Sequence, residues 1–143
     1  MLAKLIVQTS SGAVHGDDRL HQRLLLGPGA AVHLTTQGAA AVHRADPGLC
    51  TSETLELDIA DGALLEYLPH PRILFPGAQL RAVAEIDCAP GAMLLFADAF
   101  TLRGGHHVGH VAIGCPAIRT NVDFGRHRLA GFGGEALAEF LAL

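Results

Sequence analysis

The stretch "TLELDIADGALLEYLP", residues 54–69, decides the fold class of this chain. Its first half alternates polar and apolar residues and places Leu55, Leu57 and Ile59 on one side. This period of two is typical of a β-strand with one buried face. An Asp-Gly pair follows, in which Gly62 can take the positive φ that a tight turn requires. A second apolar run comes directly after, so the stretch predicts a strand, a turn and a strand.

The same unit recurs along the chain. Similar turns stand at "GPGA" (27–30) and "APGA" (89–92), and the three glycines Gly29, Gly62 and Gly91 are spaced by 33 and 29 residues. A repeat of this size indicates stacked units, because one pair of strands cannot bury its apolar face alone. We therefore predict an all-β fold of repeated strand-turn-strand units in stacked or layered sheets.

Length and the C-terminal tail complete the predicted fold. A chain of 143 residues suits one domain, so residues 1–143 are predicted to form a single β domain. The tail "GEALAEFLAL" (134–143) has apolar residues at helical spacing, with Glu135 near its start. An acid at that place interacts favourably with the helix dipole. We expect one short C-terminal helix there.

A proline-rich run, "LLEYLPHPRILFPGAQL" (64–80), follows the central turn. It contains three prolines in an otherwise strand-like apolar segment, and its only charged residues are Glu66 and Arg72. Proline has no amide donor, so a central strand cannot contain several of them. We expect this run to end a hairpin at the margin of a sheet.

Charge and composition exclude several classes of function. The net charge is −4 and the calculated pI is near 6.1, with no basic stripe of the kind that binds nucleic acid. No apolar run approaches the roughly eighteen residues of a membrane span, and the N-terminus lacks a signal-peptide core. Cys50, Cys88 and Cys115 show no paired spacing, which argues against a disulfide framework. We expect a cytoplasmic protein that binds neither nucleic acid nor membrane.

The sequence carries no enzyme motif, but it contains one histidine cluster. A nucleophile elbow, a phosphate-binding loop, a zinc-protease helix motif and a dinucleotide fingerprint are all missing from the sequence. We therefore predict that the chain is not an enzyme. "HHVGH" brings together His106, His107 and His110, and imidazole is a common ligand of divalent metals. The glycines around it favour a solvent-exposed loop instead, and both interpretations stay open.

Three acidic residues stand at positions where a carboxylate needs an explanation. Asp18 ends "HGDD" (15–18), and Glu66 and Asp98 interrupt apolar runs. An acid inside an apolar strand must be paired, hydrogen-bonded or hydrated. Each is either an ordinary outward residue or part of the lining of a polar passage, and the residues alone leave both readings open.

Several segments together resemble a known family. "SGAVHGDDRL", "GPGAAVHLTTQGAAAVHR", "LLEYLPHPRILFPGAQLR" and "APGAMLLFADAFTLRG", in this order, resemble the urease accessory protein UreD, also called UreH. The resemblance covers roughly residues 5–105, and residues 110–143 show no family pattern. It implies an all-β scaffold that works with UreF and UreG to deliver nickel to urease apoprotein, with GTP hydrolysed by UreG. No tightly bound cofactor is implied, only Ni²⁺ in transit.

The resemblance also assigns roles to individual residues. It implies a weak, transient metal passage at three acids and partner contacts at three further residues: Asp18, Glu66 and Asp98 for metal; Arg44, Tyr67 and Pro69 for partners. The chain departs from the family at Asp17, Ala41, His43 and Ala97, and resembles a truncated member. Two alternatives follow: a stand-alone metal-binding or storage protein that uses the histidine cluster, or a degenerate remnant without a binding role.

Overall fold

The structure, a computed structural model, describes residues 1–102 and, beyond them, the strands at 106–113, 118–123, 128–130 and 137–142. These residues contain strands and no helix, which confirms the predicted all-β fold. The strands are β1 (Ala3–Val7), β2 (Ala13–Val14), β3 (Arg19–Leu26), β4 (Ala31–Thr36), β5 (Ala40–Val42), β6 (Thr51–Ile59), β7 (Leu64–Tyr67), β8 (Arg72–Leu74), β9 (Leu80–Cys88), β10 (Met93–Leu102), β11 (His106–Ile113), β12 (Ile118–Asp123), β13 (Arg128–Ala130) and β14 (Leu137–Ala142).

The chain winds through three stacked coils. The first coil contains β3, β4 and β5, the second contains β6, β7 and β8, and the third contains β9 and β10. Equivalent strands of successive coils pair in parallel, so that Leu24 stands beside Leu57 and Leu57 beside Ile86. These register offsets of 33 and 29 residues are the spacings of the glycine turns. The sequence repeat is therefore the length of one coil.

Each glycine turn is a corner between two sheets. The strands before the turns lie in a five-stranded sheet of order β13-β12-β9-β6-β3, and those after the turns lie in a nine-stranded sheet. Gly29, Gly62 and Gly91 have φ values of 68°, 66° and 82°, which residues with a side chain rarely adopt. The corners stack directly, since the amide of Gly29 donates to the carbonyl of Asp61 at 3.1 Å.

The proline-rich run does not end a hairpin at a margin, and that expectation was wrong. Its strand β7 lies between β4 and β10, in the interior of the nine-stranded sheet. Pro69 and Pro71 fall in the bend between β7 and β8, and Pro76 falls in the turn after β8. These positions need no ladder hydrogen bond, so the missing amide donors cost little.

The interior between the sheets contains two apolar clusters. The larger is built around fully buried Ile59 and Leu65, and the smaller around Val42 and Leu80. In β10 the larger cluster ends at Phe96 and the smaller begins at Phe100. Polar side chains stand between them, and they form the candidate site below.

The short helix expected over residues 134–143 was wrong as well. Leu137–Ala142 form β14, which pairs antiparallel with β11. A ten-residue helix is marginal without tertiary support, whereas the edge of β11 offers a partner for its backbone groups. The helical spacing of the apolar residues was therefore outweighed by strand pairing.

Candidate functional site

An ion cluster of Glu53, Arg72 and Asp98 lies in the interior between the two sheets. Nε of Arg72 donates to Oε2 of Glu53 at 2.7 Å, and Nη2 lies 2.7 Å from the same oxygen. Nη1 of Arg72 donates to Oδ1 of Asp98. The three side chains are only 18 to 20% exposed. One guanidinium therefore bridges two carboxylates that come from different sheets.

Strand alternation explains how these charges come to face inward. Glu53 shares the inner face of β6 with Leu55 and Leu57, and Asp98 lies between Phe96 and Phe100 on the inner face of β10. Charged groups inside a protein are normally paired. Arg72, at the start of β8, supplies the positive charge. With both acids ionised, the cluster has a net charge of −1.

Tyr67 forms a wall of the same region. Its ring stacks on Phe96, with centroids 5.1 Å apart and an interplanar angle of 10°, and only 6% of the residue is exposed. Burial raises the pKa of Tyr67 to about 12; Arg72 opposes this rise, while Asp98 and Glu53 add to it. The phenol is therefore neutral and available as a hydrogen-bond donor at physiological pH.

The charge of Arg72 is retained in spite of its burial. Burial by itself lowers the pKa of Arg72, but Asp98 and Glu53 outweigh this effect and raise that pKa above its ordinary value. A guanidinium is in any case always protonated in proteins. The positive charge at the centre of the cluster is therefore permanent.

Cavities lie next to the ion cluster. The larger has a volume of about 340 Å³ and is lined by Glu53, Tyr67 and Arg72 together with polar residues such as Gln22 and His70. A smaller void of about 30 Å³ is lined by Glu53, Tyr67 and Arg72 again, and also by Asp98. Glu53, Arg72 and Tyr67 thus line both spaces, whereas Asp98 lines the smaller void.

The three acids assigned to a metal passage are not brought together. Asp18 accepts a hydrogen bond from the amide of His15 at 2.8 Å, in its own turn. Glu66 lies beside Leu95 in the register, and its Oε2 is 2.9 Å from Nδ1 of His33. Of the three, Asp98 is the acid in the ion cluster. The metal roles of Asp18 and Glu66 stay predictions.

The residues assigned to partner contacts also lie in different surroundings. Arg44 is exposed, and its backbone forms an isolated antiparallel β-bridge with Ala78. The aliphatic part of its side chain packs over Gly77, where a Cβ atom would lie 2.7 Å from Cγ of Arg44. Tyr67 and Pro69 line the larger cavity. Their partner contacts stay predictions, and the surface offered by Arg44 is separate from that cavity lining.

The histidine cluster lies in a strand and not in a loop. His106, His107 and His110 belong to β11, where His110 is the register partner of Asp98 and His107 that of Thr101. Their side chains lie outside the described residues, so their metal role stays a prediction. Within the described part of the chain, no three His, Cys, Asp or Glu side chains are arranged to hold a metal ion.

Glu53 and Arg72 were not predicted as site residues, although the sequence contains a signal for both. The alternation that buries Leu55 and Leu57 also places Glu53 on the inner face, two residues earlier. Asp98 likewise breaks the apolar inner face of β10, and two inward acids require a base. Arg72 is the only basic residue of the proline-rich run. Only the fold shows that it reaches both acids.

Comparison with known proteins gives a consistent result. The sequence model of the UreD urease accessory protein family matches residues 1–117. The chain is 57% identical over 102 residues to urease accessory protein UreD 2 of Bradyrhizobium sp. strain BTAi1, which covers 71% of this chain and 36% of the relative. It is 56% identical over 99 residues to the UreD 2 protein of Bradyrhizobium sp. strain ORS 278, covering 69% and 35%. A UreD 1 protein of Pseudomonas syringae pv. tomato is 35% identical over 159 aligned residues, covering 98% and 55%.

The fold and site define a scaffold of parallel stacked coils with an ion cluster between its sheets. The chain belongs to the UreD urease accessory protein family. It spans a little over a third of the length of the two Bradyrhizobium relatives. Within the described residues, no helix is long and apolar enough to cross a membrane.

Proposed function

We propose that this chain is a non-enzymatic scaffold for nickel delivery into urease apoprotein, acting in the cytoplasm in a complex with UreF and UreG. Membership of the UreD family supports the link to urease. The cargo, the partners and the compartment are our inference. In this role the chain breaks no bond, and it provides a surface and a polar interior to an ion in transit.

The observation that carries the proposal is the ion cluster beside the larger cavity. Glu53 and Asp98 give this interior a net negative charge, which attracts a divalent cation. Carboxylate oxygens form weaker and more labile sites for nickel than a cage of His or Cys side chains. Such a lining lets an ion enter and leave again.

Complementation tests the proposal in cells. A urease-positive host that lacks its own UreD is supplied with this chain, and urease activity and urease-bound nickel are measured. We expect activity well above that of the empty vector, and co-purification of UreF with the tagged chain. Asp98→Asn should lose most of the restored activity, because it removes one carboxylate from the interior.

The matched control is Asp87→Asn, which removes an exposed acid on β9 and should leave activity unchanged. If the wild-type chain neither restores urease activity nor retains UreF, the delivery role fails and a remnant without a binding role is favoured. If Asp87→Asn and Asp98→Asn behave alike, the interior route fails.

A further inference from the structure

Arg72 occupies the position where the two interior carboxylates would otherwise bind a cation together. Two of its nitrogens lie 2.7 Å from one oxygen of Glu53, and a third donates to an oxygen of Asp98. Both cavities have this guanidinium in their walls. A cation in the larger cavity therefore meets Glu53, and one in the smaller void meets Glu53 and Asp98, in each case with the carboxylate already partly neutralised by Arg72.

Stability alone gives a weak reason for this arrangement. Replacing buried ion pairs by apolar side chains of similar volume is often neutral or stabilising. A group kept only for packing is normally surrounded by close contacts, whereas Glu53 and Arg72 line both a cavity of about 340 Å³ and a void of about 30 Å³, and Asp98 lines that void. The arrangement is therefore more typical of charged groups that line a cavity than of groups packed in a core.

The charges of the cluster determine how tightly it can hold an ion. With both acids ionised and Arg72 in place the net charge is −1, which attracts cations, but one oxygen of each carboxylate already accepts a hydrogen bond from the guanidinium. Without that charge, the two carboxylates and the neutral Tyr67, which all line the smaller void, would carry a net charge of −2. Because a guanidinium does not lose its proton, the restraint on binding is independent of pH in the physiological range.

We propose that Arg72 is a built-in counter-charge that keeps the Glu53 and Asp98 carboxylates from trapping a divalent cation. In this role it sets the affinity of the interior, so that an ion binds weakly and is released. The identity of the ion as nickel rests on the proposed function; the restraint on divalent cation binding by Glu53 and Asp98 does not.

Calorimetry of the isolated full chain with Ni²⁺ alone tests this inference. Arg72→Met should bind Ni²⁺ at least about tenfold more tightly than wild type, a gain of about 1.4 kcal/mol. The matched control is Arg23→Met, which removes an exposed arginine paired with Glu56 on the outer face and keeps the same nine histidines. The gain should vanish in the triple variant Glu53→Gln, Arg72→Met, Asp98→Asn.

A second measurement covers the case in which Arg72→Met folds poorly. Thermal melting followed by circular dichroism should show that Ni²⁺ raises the midpoint of Arg72→Met more than that of Arg23→Met. Equal Ni²⁺ affinities for Arg72→Met and wild type, or a destabilised variant that saturating Ni²⁺ does not rescue, would show a purely structural ion cluster. These outcomes are read without urease, so they are distinguishable from a failure of nickel delivery in cells.

Discussion

At the scale of single residues, two acids with similar sequence surroundings lie on opposite faces of the same sheet. Glu66 and Asp98 both interrupt apolar runs, yet Glu66 pairs with His33 and Asp98 pairs with Arg72. The period of two along β7 and β10 places Glu66 on the outer face of the sheet and Asp98 on its inner face. The partner of each acid comes from another strand, and no local pattern identifies it.

Tyr67 offers a direct measurement of the interior environment, because the chain has one Tyr and no Trp. We expect absorbance at the phenolate wavelength to titrate with a pKa of about 12 in the folded chain, against about 10 in the chain unfolded by urea. Because the pKa is raised on folding, Tyr67 contributes its full stabilisation of the fold below pH 10. This contribution is lost progressively as the pH rises from 10 to 12. The loss amounts to up to about 3 kcal/mol at 1.36 kcal/mol per pKa unit.

Glu53→Gln is the companion variant for this titration. It removes one of the charges that raise the pKa of Tyr67, so the titration should move to lower pH while burial keeps the pKa above 10. A folded wild-type chain whose phenol titrates near pH 10 would contradict the buried position of Tyr67.

At the scale of strands and turns, the same local signals suit two different pairings. A Gly-centred turn between two strands can close a hairpin or form a corner between sheets, and here it forms a corner each time. The strands then pair with equivalents about 30 residues away, at the offsets already noted. Alternation identified the buried face of β6 correctly, because it depends on burial and not on the identity of the pairing strand.

Two adjacent leucines in β7 test the inner and outer faces of the second coil. Leu65 is fully buried, whereas Leu64 is only partly buried on the opposite face. Leu65→Ala should lower the free energy of unfolding by about 2–5 kcal/mol because it leaves a cavity in the core. Leu64→Ala, the same change one residue away, should cost much less.

Urea denaturation followed by circular dichroism measures both variants under identical conditions. The prediction requires a clear shift of the midpoint for Leu65→Ala and a small one for Leu64→Ala. Equal losses would mean that the two faces of β7 are not in the environments described.

At the scale of the whole molecule, coils stack so that each mainly contacts its neighbours. β6 pairs on both sides, with β3 and with β9, whereas β3 ends its sheet in the part of the chain that the structure describes. Stability in such stacks is approximately a sum of neighbour contacts. β3 should therefore open more readily than β6, whereas β4 and β5 of the first coil are covered by β1 and β2.

Hydrogen exchange tests this order. Amides of β6 (Thr51–Ile59) should exchange more slowly than those of β3 (Arg19–Leu26). Among the described strands, none pairs with one edge of β3, so its local opening breaks fewer contacts. Peptide-level mass spectrometry under native conditions measures both segments in one sample. Equal protection of the two strands would indicate that a further strand covers β3, or that the coils open as one unit.

The sequence by itself determined the all-β class, the coil length and the buried face of β6. These properties follow from local chemistry: side-chain alternation with a period of two, and glycine at positions of positive φ. Tertiary structure alone decided that the turns are corners, that Leu137–Ala142 form a strand, and that Arg72 bridges Glu53 and Asp98. Each of these depends on contacts between segments distant in sequence. The stabilisation then comes from a partner segment that no local pattern specifies.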